Sequence, residues 1–319
     1  MITRTERQLT GVKKWFQSGG QATLIYCTGF GKTRTALEVI KILYQKKKDL
    51  TVLVTVPTEV LKKQWLEKVK ELNLLNNVKV EIINSIIKQR WNVDLLVNDE
   101  IHLYASDSYL RVFTSVHYQM ILGLTATLER LDGKEYIIKE YCPVCDEVTI
   151  EDALQNNWIS PYKEYCVLLD VDLTKYNEMN RKFLGYFSHF DYQFDIAMKC
   201  ATNFKYRQQY AKKQNIKLKE LTVISMDWMR MLQGRKKFIM SHPKKFEIAN
   251  KIINARKDKK IITFSATIKD SETFNTPYIL HSKKSKQKNE EMMERFNKAD
   301  CGILSSSKAA DVGKPEKTC

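Results

Sequence analysis

Long apolar runs are missing from this chain. No stretch of about eighteen uninterrupted apolar residues occurs, so no membrane-spanning helix is expected. The N-terminus is polar from Met1 to Gln8 and only short and mixed from Leu9 to Trp15, which does not make a secretory signal; a soluble, intracellular protein without membrane association is expected. Cysteine pairing is missing too. The seven cysteines (Cys27, Cys142, Cys145, Cys166, Cys200, Cys301 and Cys319) are odd in number and scattered, which fits reduced thiols better than a disulfide framework. Cys142-Pro143-Val144-Cys145 is half of a zinc motif, but no second CxxC follows, and Cys166 and His189 lack the spacing to complete a tetrahedral set. Acid is scarce against base: 37 Asp and Glu face 53 Lys and Arg, for a net charge of +16 and a pI of about 9.3. Such a surface favours a polyanionic partner. Nucleic acid is the leading candidate, and a membrane surface would attract the same charge. No carboxylate–lysine nuclease constellation is evident.

One local pattern is present and specific. Residues 27–33 read Cys-Thr-Gly-Phe-Gly-Lys-Thr, after an apolar run (Thr23, Leu24, Ile25, Tyr26) and before a helical one (Ala36, Leu37, Val39, Ile40, Leu43). A strand, a glycine turn and a helix N-terminus aim backbone N–H groups and the helix dipole at phosphates. Lys32 would then reach the β- and γ-phosphates of a bound triphosphate, the Thr33 hydroxyl would hold Mg²⁺, and Thr28, Gly29, Phe30 and Gly31 would form the loop around them. Tyr26 stands where the strict Walker A pattern begins with glycine. A glycine turn without a ligand is the competing reading.

A second signature lies downstream, where Asp94-Leu95-Leu96-Val97-Asn98 leads into Asp99-Glu100-Ile101-His102. A buried strand ending in two acids places Asp99 beside the metal and Glu100 where it can polarise an attacking water. Taken alone, an acid pair after a strand is more often helix capping and first-turn charge. Its order after Lys32 argues for hydrolysis of a nucleoside triphosphate. Strand and helix signals alternate from residue 1 to about 145 (Thr23–Tyr26, Ala36–Tyr44, Val52–Val56, Leu61–Leu72, Val80–Ile83, Leu95–Val97, Met120–Thr125), as in a parallel sheet covered by helices. A strand is expected over Glu164–Val171. From about Lys175 to Arg256 aromatic and apolar residues (Phe183, Phe187, Phe190, Phe194, Met198, Trp228, Met231, Leu232) recur at helical spacing among lysines and arginines. The aromatics read mainly as helix core, against a stacking surface for bases; the cations read as phosphate contacts or as a solvated face.

With these motifs in order, the chain resembles a superfamily 2 helicase of the DExH type, nearest to the group of XPB-like helicases, phage UvsW-like helicases and the motor subunits of type III restriction enzymes. Arg7-Gln8 resembles the adenine-reading element and CTGFGKT motif I. VTVPTEVLKKQW (Val54 to Trp65) resembles motif Ia and DEIH motif II. GLTATLERLDG (Gly123 to Gly133), IITFSAT (Ile261 to Thr267) and LSSSKAADVG (Leu304 to Gly313) resemble motifs III, IV and V.

The resemblance implies an α/β fold: a RecA-like ATP-binding lobe over 1–145, a linker strand and helical insertion over 146–240, and a partial second RecA-like lobe over 241–319. It implies ATP and Mg²⁺ as cofactors. Gln8 would read the adenine, and His102, Thr125, Ala126 and Thr127 would couple the nucleotide site to movement. Pro57, Thr58, Ser282 and Lys283 would contact a nucleic-acid backbone, and Asp311 and Gly313 the nucleotide. An ordinary helix-face glutamine competes for Gln8, and β-branched strand residues compete for Thr125 and Thr127. The segment from Cys142 to Leu154 reads as a connection between lobes.

The resemblance also has departures. Thr127-Leu128 replaces a Thr-Pro, Val312 stands where the family has Glu, and the arginine-bearing motif VI does not follow Gly313. Two functions are therefore expected: an ATP-dependent helicase or translocase on DNA, favoured over RNA, or a truncated nucleotide- and nucleic-acid-binding module with little turnover unless a second chain supplies the arginine. A small-molecule kinase on the same loop leaves VTVPTEV, GLTATLER and the late Ser-Ser-Ser-Lys unexplained. A cytoplasmic or nucleoid-associated protein, of cellular, phage or viral origin, fits this reading.

Overall fold

The computed structural model describes residues 2–73, 77–130 and 133–307. The chain divides after Glu164 into two compact units.

The first unit is built on six parallel strands: β1 (Gln21–Tyr26), β2 (Val52–Val56), β3 (Val78–Ile82), β4 (Trp91–Asp99), β5 (Val116–Thr125) and β6 (Val144–Val148), in the order β3-β2-β4-β5-β1-β6. Three helices bear on the site: α1 (Arg4–Gln17), α2 (Lys32–Lys46) and α3 (Glu59–Glu71). The parallel sheet expected from the alternation is confirmed, and β5 lies between the strand that feeds the glycine loop and the strand that ends at Asp99. Register carries the site. Ile25 pairs with Thr125 and Asp99 with Leu124, so three strands finish level at their carboxyl ends, where open α/β sheets bind ligands. Successive residues of β2 pack on opposite faces, Val52, Val54 and Val56 with Leu24 and Trp15, and Leu53 with Leu96 and Ile121. A strand buried on both faces reads as the continuous apolar run seen in the sequence.

Two departures from the sequence reading stand out. The stretch from Cys142 is strand β6 followed by a capped helix, Ile150–Gln155, both inside the first unit. Glu164–Val171 is not a strand: it joins no ladder among the described residues and is largely exposed, Leu168 at 91%. Apolar residues favour strands only where a half-buried pleated surface receives them, and no edge here does. Val312 and the Asp311–Gly313 part of the motif V resemblance lie outside the described residues.

α1 is fastened to the sheet by a buried carboxylate. Asp146 on β6 accepts from Arg7 Nη1 at 2.6 Å and Nη2 at 3.0 Å, from Lys14 Nζ at 2.6 Å and from Tyr26 Oη at 2.7 Å. Tyr26, the residue at the glycine position of the Walker pattern, therefore turns its ring into the core. Gly11 makes room for it, since a Cβ there would sit 1.7 Å from the Tyr26 oxygen. The phenol cannot retreat without leaving Asp146. Gly11→Ala is expected to destabilise the first unit by roughly 1–3 kcal/mol, the usual cost of overpacking. Pairing it with Tyr26→Phe should recover part of that loss; thermal melts of the four combinations, with strictly additive losses, would rule this packing out.

The second unit pairs a helical segment with a small sheet. Helices Thr174–Phe187, Phe194–Thr202, Phe204–Lys213 and Leu218–Met240 bury Phe183, Phe190, Leu221 and Trp228 together, so these aromatics are core. The sheet is parallel, β7 (Lys260–Ser265), β8 (Tyr278–Leu280) and β9 (Gly302–Ser307) in the order β7-β9-β8.

Candidate nucleotide site

The loop after β1 has the shape a phosphate needs. Gly29 and Gly31 take left-handed φ of 85° and 107°, and Gly31 caps α2. A side chain at 31 would meet Gln8 Nε2 at 2.5 Å, so only glycine lets α1 close on the loop. Gln8 is buried and donates to Phe30 O at 2.7 Å, and Arg4 Nε donates to the same carbonyl at 2.9 Å. The Phe30 side chain is fully buried between Tyr26 and Trp158, so it is out of a ligand's reach. Beside it opens a cleft of about 710 Å³, lined by Arg4, Thr28, Gly29, Asn157, Trp158 and Tyr162. Arg4 and Trp158 were invisible to the sequence reading, because Arg4 donates to the Phe30 and Trp158 carbonyls and Trp158 packs its ring on Phe30, contacts between residues far apart in the chain.

Lys32 and Thr33 open α2, where backbone N–H groups lack helical partners. Lys32 Nζ donates to Tyr26 O at 3.4 Å and stands 3.9 Å from Glu100 Oε1, so an ammonium with three donors keeps capacity for a phosphate. Asp99 is 4% exposed. Its Oδ1 accepts the Glu100 N–H at 3.1 Å and its Oδ2 accepts Trp65 Nε1 at 2.8 Å. Burial raises its pKa above the usual carboxylate value, against the pull of Trp65 and Lys32. A buried, unneutralised carboxylate of this kind and the Thr33 hydroxyl are hard oxygen donors that fit Mg²⁺. Among the described residues no cluster of three or more His, Cys, Asp or Glu forms a metal cage. Burial pushes the Cys142 and Cys145 thiols up to about 12 and about 11, away from the thiolate that metal ligation requires.

Glu100 adopts a left-handed conformation, φ 53° and ψ 50°, unusual for a residue with a side chain. The turn swings the chain out of β4 and sets the Glu100 carboxylate between Lys32 and His102, with Oε2 3.4 Å from His102 Nδ1. His102 Nδ1 also meets Thr125 Oγ1 at 2.9 Å. Thr125 gives its single hydroxyl proton to Thr127 O at 2.6 Å, so it accepts from His102, and the network assigns the imidazole proton to Nδ1. Burial, with Arg130 and Lys32 nearby, lowers the His102 pKa, which keeps the ring neutral at pH 7. Arg130 Nη1 donates to His102 O at 2.6 Å, a contact that the motif III resemblance did not single out. Thr127 is exposed, and Ala126 lies between the two threonines.

The other expected contacts are placed as follows. Pro57 and Thr58 follow β2 and are half-buried, and Thr58 caps α3 by accepting from Leu61 N at 3.3 Å. In the second unit, Ser282 and Lys283 are exposed at the carboxyl end of β8, on a turn held by Asn289, which donates to His281 O at 3.1 Å.

Residues 2–90 match the type III restriction enzyme res subunit family, and residues 244–314 match the helicase conserved C-terminal domain. These two matches support a superfamily 2 helicase of the group that the motifs resemble. Among relatives, the DNA 3'-5' translocase XPB2 of Sulfurisphaera tokodaii is 24% identical, over 98% of this chain and 72% of that protein. QP509L of African swine fever virus, named as an ATP-dependent RNA helicase, is 34% identical over 40% of this chain and 29% of its own length. Among solved structures, the Hef helicase domain of Pyrococcus furiosus aligns with a TM-score of 0.47 at 13% identity, over 98% of this chain and 88% of that one. No helix among the described residues is long and apolar enough to cross a membrane.

Proposed function

We propose that this helicase couples ATP hydrolysis to movement on DNA, with Lys32, Asp99 and Glu100 carrying the chemistry. The observation that carries the reading is the line of contacts from Lys32 through Glu100 and His102 to Thr125, which links the phosphate loop to the end of a neighbouring strand. Lys32 and the N-terminus of α2 hold the phosphates, Gln8 and the cleft beside it take the base, and Thr33 and Asp99 hold Mg²⁺. Bound there, Mg²⁺–ATP supplies the phosphoryl group and neutralises charge on its oxygens. Glu100 orients and deprotonates the attacking water. His102, Thr125, Ala126 and Thr127 pass the state of the site to the strand ends.

Pro57, Thr58, Ser282 and Lys283 meet the nucleic-acid backbone, contacts that position without reading sequence. The net charge of +16 supports a polyanionic track. DNA is favoured because the relative named for DNA matches along almost the whole chain, whereas the one named for RNA matches less than half.

A triplex-displacement assay tests this. ATP, and not a non-hydrolysable analogue, is expected to drive displacement of a third strand from duplex DNA. Displacement without hydrolysis, or activity confined to RNA, would overturn the proposal.

A further inference from the structure

The segment from β2 into α3 grips the Asp99 strand at two buried points with a solvent-facing turn between them. At the first, Thr55 Oγ1 lies 2.6 Å from Asn98 Oδ1 and 2.6 Å from Tyr104 Oη. Asn98 immediately precedes Asp99, and Tyr104 belongs to the short helix Ile101–Ala105 that carries His102. At the second, the Trp65 indole, 1% exposed, donates to Asp99 Oδ2 at 2.8 Å. Between these anchors stand Pro57 and Thr58, with Glu59 and Val60 exposed. Thr58 caps the same helix on which Trp65 lies about two turns further on.

We infer that Trp65 is a positioning residue: it fixes the Asp99 carboxylate for the metal and transmits contact at Pro57–Thr58 to it through α3. The inference rests on the function proposed above, and it adds a residue and a route that the reaction itself does not require. A helix is a stiff element. A phosphate bound at its capped end shifts α3 as a body, and the indole N–H, held in a packed core, moves with it. Groups that orient a metal-binding carboxylate typically change metal affinity or activity by ~10–100-fold when removed.

Trp65→Phe keeps the buried ring and deletes the donor. Calorimetric titration with a non-hydrolysable ATP analogue, with and without Mg²⁺, is expected to show the variant's preference for the Mg²⁺-loaded form reduced by about tenfold or more, with metal-free binding little changed. The ratio of DNA-stimulated to basal hydrolysis should fall in the same variant. A Trp65→Phe protein that melts like wild type and keeps both the Mg²⁺ preference and the stimulation ratio would overturn the inference. Wild type that shows no Mg²⁺-dependent nucleotide binding would instead overturn the reading of the site, and the inference with it. Should Trp65→Phe not fold, Thr55→Val cuts the other anchor while preserving shape; it is expected to lower the stimulation ratio, and an unchanged ratio counts against the route.

Discussion

Glu100→Gln is expected to lower DNA-stimulated ATP hydrolysis by ~10²–10⁴-fold, the usual worth of a positioned general base. The amide keeps the volume and much of the hydrogen bonding of the carboxylate, so the left-handed turn at 100 and the neighbouring His102 can persist. What it cannot do is accept the proton of the attacking water. Nucleotide affinity should change far less, because the loop at Gly29–Gly31, the start of α2 and Gln8 hold the nucleotide without Glu100. Single-turnover hydrolysis measured beside equilibrium binding separates the two effects. A variant within tenfold of wild-type turnover would show that Glu100 is not the base and that its strained backbone serves packing alone.

Asp146→Ala is expected to give the largest loss of stability. The carboxylate is 1% exposed and leaves Arg7 and Tyr26 without their acceptor when removed. Stranding the partners of a buried ion pair typically costs ~3–5 kcal/mol, or roughly 6–20 °C in melting temperature for a unit of this size. Lys14, whose side chain is about half exposed, contributes little to that figure. The consequence reaches the site, because α1 carries the Gln8 and Arg4 that hold the Phe30 carbonyl, so nucleotide binding should weaken with it.

The same group predicts a pH dependence. Burial works against the charged form of Asp146, but hydrogen bonds from Arg7, Lys14 and Tyr26 outweigh it and lower its pKa below the ordinary 3.8. The unfolded chain then takes up the proton first. The stabilisation is present above pH 3.8 and is lost as pH falls through the lower folded value. Chemical unfolding of wild type and Asp146→Asn should therefore differ most near neutrality and converge in acid. A constant difference across that range would mean that the ion cluster is not the cause.

What could be read from the sequence was what the chain encodes locally. The glycine loop, the acid pair and the apolar strands each occupy a few consecutive residues whose physics needs no partner to be recognised. Long-range pairs were not legible. Arg7 finds Asp146 across 139 residues, Trp65 finds Asp99 across 34, and Arg130 finds the His102 carbonyl across 28. β6 went unrecognised because Asp146 and Glu147 interrupt its apolar pattern, and the cations that make an acid tolerable there come from α1. Glu164–Val171 failed the other way: its apolar residues fit a strand, and no sheet edge accepts them. Tyr26 looked like a flaw in the phosphate motif until its ring was seen to lie in the core, with its hydroxyl in the space left by Gly11.

The central claim is tested most directly by steady-state ATP hydrolysis of the wild type and Lys32→Ala, each with and without single-stranded DNA, duplex DNA and RNA. The account predicts hydrolysis stimulated by DNA in the wild type and abolished in Lys32→Ala. Nucleotide binding without turnover, or hydrolysis that survives the loss of Lys32, would contradict it.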